Sequence, residues 1–269
     1  LHNIHYFEIK NCEVFDNKEE GIDAKYGSAH GSIHHNHVYR NNGPNIYIDK
    51  ANHIEVYNNI VHDAIVKAGI SLNIESAWHT KGLAWTLHNV KVYNNLVYGN
   101  SGGIGFWLET GRGSKEKAHW DSVYIINNTL INNSKPSSKR GGGIYVVNGN
   151  PHNFGDHIII INNIIWEGTN EVSKCIWDYT GKIMEKFHIS TNVFPENEPS
   201  DLYGDQAFIV ADVKFVNPLN HNYMLHPDSP AIDSGTNHGA PSIDLINTIR
   251  PQINGIDIGA YEMIPSLIQ

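Results

Sequence analysis

Val56-Tyr57-Asn58-Asn59-Ile60-Val61 sets a pattern that returns as Val92-Tyr93-Asn94-Asn95-Leu96-Val97, Ile125-Ile126-Asn127-Asn128-Thr129-Leu130 and Ile160-Ile161-Asn162-Asn163-Ile164-Ile165. Looser copies are Ile33-His34-His35-Asn36-His37-Val38 and Ile9-Lys10-Asn11-Cys12-Glu13-Val14. Aligning the second polar position gives a ladder of Cys12, Asn36, Asn59, Asn95, Asn128, Asn163 and Asn192, spaced by 24, 23, 36, 33, 35 and 29 residues. Such internal self-similarity is the signature of a solenoid. Asparagine suits the position because it tolerates a left-handed bend and its amide can bond to the copies above and below. The shortest spacings are one coil, and the surplus residues of longer spacings must leave as loops. The period is not leucine-dominated, which excludes a leucine-rich repeat.

A second phrase follows each bend after a polar turn: Gly21-Ile22-Asp23-Ala24-Lys25, Asn45-Ile46-Tyr47-Ile48-Asp49, Gly69-Ile70-Ser71-Leu72-Asn73, Gly103-Ile104-Gly105-Phe106-Trp107 and Gly143-Ile144-Tyr145-Val146-Val147. These alternate with period two, as strands do. Ile22, Ile46, Ile70, Ile104 and Ile144 form one inward column, and Ala24, Ile48, Leu72, Phe106 and Val146 form the next. The expected fold is all-β: a right-handed, single-stranded parallel β-helix with an irregular C-terminal cap. Residues 1–194 are read as coils and 195–269 as the last coil or coils and a capping segment of the same domain. The chain opens directly on repeat sequence at Leu1, so an N-terminal region or a second chain is expected to cover the first coil.

Composition narrows the function. Hydrophobic residues make up 40% and charged residues 17%, too apolar for a disordered chain. No run approaches the roughly 18 apolar residues of a membrane span. A net charge of −9 argues against nucleic acid as partner and disfavours a polyanionic glycan. Cys12 and Cys175 are too few for a disulfide scaffold, and the 17 histidines show no metal-binding spacing, so no zinc site is expected.

Stacking the second phrase aligns its outward residues on rungs about 4.8 Å apart. One column runs Asp23, Tyr47, Ser71, Gly105, Tyr145, the next Lys25, Asp49, Asn73, Trp107, Val147, and a third holds Glu75 and Glu109. Carboxylates on adjacent coils repel one another, a cost that function explains more easily than solubility does. Asp49 and Glu75 are the catalytic candidates. A diagonal in a sheet separates their β-carbons by about 7–8 Å, within reach of the carboxyl spacings of both retaining and inverting glycosidases. Asp23, Lys25 and Glu109 are supporting neighbours, with Lys25 keeping Asp49 charged. Glu75 with Glu109 is the competing dyad. Tyr47, Asn73, Trp78, His79, Trp107 and Arg112 are the substrate-binding candidates. The long segments after Glu75, Glu109 and Asn133 are expected to raise walls around the patch, with Trp85, Lys115, Lys117, His119 and Trp120 among their residues.

At the Gly21–Lys25, Ile46–Asp49 and Gly69–Glu75 phrases the chain resembles bacterial β-helix carbohydrate-active proteins, most of all the β-helix glycoside hydrolases that include the β-xylosidase family. The resemblance implies a secreted or cell-surface glycosidase acting on a polysaccharide or oligosaccharide without a cofactor. Asp49 would be nucleophile or base and Glu75 the acid, although Glu75 lies two residues beyond the matching column, which Asn73 occupies. The polysaccharide lyases are the second resemblance, implying Lys25 as base and calcium on Asp23, Asp49 and Glu75. A non-catalytic glycan-binding or surface solenoid is the third reading.

Overall fold

The computed structural model describes residues 1–75, 82–109, 117–134, 141–167, 174–181, 183–196 and 208–264. The chain winds as a right-handed parallel β-helix, as the repeat predicts, with every pairing between successive coils parallel. Sheet A stacks Ile22–Lys25, Ile46–Asp49, Ala68–Ile74, Gly102–Leu108, Ile144–Val147 and Ile176–Asp178. Sheet B runs from His5–Lys10 to Phe187–Ser190, and sheet C from Glu13–Phe15 to Phe208–Val210. Each coil passes from A to B, turns at the asparagine bend into C, and returns to A. No helix among the described residues is long and apolar enough to cross a membrane.

The register matches the sequence alignment residue for residue. Ile22, Ile46, Ile70, Ile104 and Ile144 are successive partners, as are Ala24, Ile48, Leu72, Phe106 and Val146, and all are buried. Each large aliphatic side chain removed from water contributes about 1.5–3 kcal/mol, so these columns carry the fold. Trp120, expected in a wall, is instead wholly inside. It stacks on Phe154 at 4.8 Å, and its Nε1 donates to the Leu72 carbonyl at 3.1 Å. Alternation along His119–Ile126 turns it inward, and indole is large enough to fill the wider coil.

The bend divides its work between its two polar residues. The first takes the left-handed conformation, with φ of 51° at Asn58, 51° at Asn94, 53° at Asn127 and 57° at Asn162. The second builds the ladder. Asn59 Nδ2 donates to Asn95 Oδ1 at 2.9 Å, Asn95 to Asn128 at 3.0 Å and Asn128 to Asn163 at 3.0 Å, while each backbone N–H bonds the same oxygen. A second amide ladder, absent from the sequence reading, lines the C-to-A corner through Asn17, Asn41, Asn45, Asn100 and Asn133.

The segment expected as a cap lies along the flank of the solenoid. Asn58, Asn94, Asn127 and Asn162 donate to main-chain carbonyls of Asp244, Ile243, Asp257 and Thr236. Leu245, Ile258, Ala260 and Met263 pack with Leu96, Ile131 and Ile164 from the outer side of sheet C. The physical reason is that sheet C presents apolar residues outward, which need cover as much as an end coil does.

Candidate functional site

The outer face of sheet A forms the floor of a cleft of about 630 Å³. Tyr47, Ser71, Tyr145, Asn73 and Trp107 line its floor, and Glu19, Glu20, Lys67 and Glu75 also line the cleft. The expected columns are therefore real: Tyr47 pairs with Ser71, Ser71 with Gly105 and Gly105 with Tyr145. Gly105 is needed here, because a β-carbon would meet the Tyr145 ring at 2.5 Å. The bare rung lets that ring lie down over the sheet and join Trp107 in an aromatic floor. Lys67 reaches over the Trp107 ring, 5.6 Å from its centre.

Asp49 is the main correction. The sequence places it on an exposed patch as nucleophile or base, yet it is fully buried. Lys25 and Asn73 flank it in register. Its Oδ1 accepts the Glu75 backbone N–H at 2.9 Å, and its Oδ2 is buried with no hydrogen-bond partner. Burial pushes its pKa up to about 8, against the pull of Lys50 and the Glu75 amide. A group so enclosed cannot reach a glycosidic carbon.

Glu75 remains at the cleft, partly exposed, just past the end of the strand Ala68–Ile74. Tyr26 Oη donates to its Oε2 at 3.1 Å. Lys50 Nζ donates to its backbone carbonyl, and the same ammonium lies 4.9 Å from the Tyr26 ring centre and 5.2 Å from that of Trp85. Burial lowers the Lys50 pKa, opposed by Asp49, Glu75 and Glu109. Burial together with Glu75 and Asp49 raises the Tyr26 hydroxyl, so it stays a donor at any ordinary pH. Lys50 and Tyr26 escaped the sequence reading because both sit at the A-to-B bend, outside the alternating phrase. Their positive φ values of 46° and 53° were the hidden regularity.

The remaining candidates fall into place unevenly. Lys25 binds Glu20 at 3.1 Å and Asp23 at 3.3 Å and lies 4.6 Å from the Tyr47 ring centre. Burial alone would lower its pKa, but Glu20 and Asp23 outweigh it and the net shift is upward. A lysine held this firmly as a cation is a poor base. Glu20, which the sequence reading passed over, lines the cleft as the partner of Lys25. Tyr47 and Asn73 line the cleft but are nearly closed off, at 2% and 3% exposure, so most of each side chain is structural. Glu109 follows Leu108 beside Glu75, its N–H donating to the Ile74 carbonyl at 3.2 Å, and does not line the cleft. Trp78, His79 and Arg112 lie outside the described residues, as does Lys115. Among the described residues no three of His, Cys, Asp and Glu converge as metal ligands, so Asp23, Asp49 and Glu75 do not assemble the calcium set.

A family model described as the right-handed beta helix region matches residues 1–77, the first three coils. No curated protein matches the chain. The matched architecture carries carbohydrate-active enzymes and non-catalytic proteins alike, so activity has to be argued from the cleft.

Proposed function

We propose that this β-helix is a glycoside hydrolase, acting outside the cell on a neutral glycan bound along the sheet A cleft. Glu75 is the acid that protonates the leaving oxygen, and Glu20 is the ionised carboxylate that serves as nucleophile or base. The observation that carries this reading is the cleft itself: Glu20 and Glu75 line it together with Tyr47, Trp107 and Tyr145. Two carboxyl groups in unlike surroundings are what glycosidic cleavage by acid and base or nucleophile requires. Lys25 Nζ pairs with Glu20 at 3.1 Å, whereas Glu75 accepts from the Tyr26 hydroxyl at 3.1 Å, so the two carboxyl groups have different partners. Aromatic rings offer flat apolar surface to the C–H face of a sugar. Glu19, Glu20 and Glu75 outnumber Lys67 along the lining, which repels uronate chains and favours uncharged ones.

Reducing-end release from a panel of neutral and acidic glycans tests this. The wild type is expected to act on a neutral polymer, and Glu75→Gln to lose roughly 100-fold or more of kcat. An unsaturated, ultraviolet-absorbing product would overturn hydrolysis in favour of elimination. Full activity in Glu75→Gln would remove Glu75 from the mechanism, and binding without any turnover would leave a glycan-binding solenoid.

A further inference from the structure

We infer that Asp49 and Lys50 act jointly as positioning residues, gripping both peptide groups of Glu75 so that its carboxyl is aimed into the cleft. The inference deepens the reading of Glu75 as the acid and rests on it. The sheet A strand of the third coil ends at Ile74, so Glu75 has left the regular ladder. Its N–H and C=O still need partners, and consecutive residues of the coil below supply them. Asp49 Oδ1 takes the N–H at 2.9 Å, and Lys50 Nζ gives to the C=O. Tyr26, from the coil below that, holds the carboxyl itself at 3.1 Å. The two preceding coils therefore converge on one residue of the third, two groups on its main chain and one on its carboxyl.

The arrangement is costly unless it serves a purpose. Asp49 and Lys50 are 0% and 2% exposed, and a carboxyl and an amine would both be easier to keep in water. Asp49 Oδ2 has no hydrogen-bond partner among the described residues. A hydrophobic pair would fill the same space but could not bond both ends of a residue beyond the strand. Positional error of about 1 Å in a reacting group can cost about 100-fold in rate, which is the scale of benefit such a grip provides. The groups that face Asp49 are Lys25 and Tyr26 from the first coil, Tyr47 and Lys50 from its own, and Glu75 from the next, while Glu109 from the fourth coil acts on Lys50. Ionisation of Asp49 above about pH 8 adds an anion beside Glu75 and changes the charge the grip presents.

The test uses the full chain, with kcat, KM and pH profiles on the glycan the wild type cleaves. Asp49→Ala and Lys50→Met are expected to lower kcat roughly 10- to 100-fold with KM within about threefold, because the substrate subsites are untouched. Asp49→Asn keeps the acceptor and is expected to recover most of that loss while losing the alkaline inflection near pH 8. Lys50→Arg, a conservative donor, should rescue in part. Folded variants with wild-type kcat and pH profile, or with a change in KM alone, would overturn the inference. A crystal structure of Asp49→Ala decides it without any substrate: the Glu75 carboxyl should part from Tyr26 Oη, and an unmoved Glu75 overturns the inference. Should Asp49→Ala fail to fold, Asp49→Asn and Lys50→Met decide by the same readouts. Loss of activity in the positioning variants alongside full activity in Glu75→Gln would sink the assignment of Glu75 instead.

Discussion

Arg250 Nη1 and Glu262 Oε2 lie 2.8 Å apart, with side chains 0% and 1% exposed. The guanidinium also donates to the carbonyls of Asp257 and Gly259, and Glu262 accepts the N–H groups of Gln252 and Asp257. One buried ion pair thereby folds the tail into the shape that covers sheet C. Arg250→Met leaves Glu262 and two carbonyls without their cation. Removing one member of a buried pair typically costs about 3–5 kcal/mol, and the urea midpoint should fall accordingly. A midpoint shift worth less than about 1 kcal/mol would mean that the pair does not organise the tail.

The asparagine ladder makes a second stability test. Asn128 Nδ2 donates to Asn163 Oδ1, Val92 O and Ile126 O, while its Oδ1 accepts from the Asn95 side chain and N–H. Asn128→Asp is nearly isosteric but removes every one of those side-chain donations and buries an anion against two carbonyls. It should be more damaging than Asn128→Ala, and each should cost about 2 kcal/mol or more. Urea unfolding ranks the two. If Asp proves the milder change, the amide donors are not what hold successive coils together.

Sequence alone was enough for the fold because the solenoid repeats its physics. Period-two alternation at Ile46–Asp49 and Ile70–Asn73 orients side chains, and the Asn59-to-Asn95 step sets register without reference to distant parts. The second ladder was harder to see because Ala64 interrupts it, and Asn45 bridges to Asn100 from outside the column. The site was only half legible for a different reason. Alternation says that Asp49 points away from the core, but whether an outward residue meets water depends on what the next bend lays across it. Tyr26 and Lys50, at that bend, lie within electrostatic reach of Asp49, and neither belongs to the alternating phrase.

His37 and His62 suggest a measurable acid response. Their Nε2 atoms stand 2.8 Å apart, so one proton serves the contact and a second would set two N–H donors against each other. Burial and His62 hold the His37 pKa below its usual value, with Glu13 pulling the other way. For a histidine lowered in the folded state, the associated stability is present above its unfolded pKa and is lost as pH falls through the folded one. Thermal midpoints measured between about pH 7 and 5 should therefore decline, and His37→Asn should flatten the decline. An unaltered slope in the variant would place the acid sensitivity elsewhere.

Asp49 has the opposite linkage sign to an ordinary ion-paired carboxylate. Its folded pKa is raised to about 8, whereas the unfolded chain titrates near the usual value of about 4. The folded state therefore holds the extra proton across that interval, and stability from this group is greatest below about pH 4 and falls as pH climbs toward 8. Asparagine carries no such proton. Relative to wild type, Asp49→Asn should become progressively more stable between about pH 4 and 8, by an amount on the order of a few kcal/mol at most, with no further gain above it. Urea unfolding at a series of pH values measures the difference directly. A constant difference would mean that Asp49 stays ionised within the fold, and the buried oxygen would then need a donor that the present geometry does not supply.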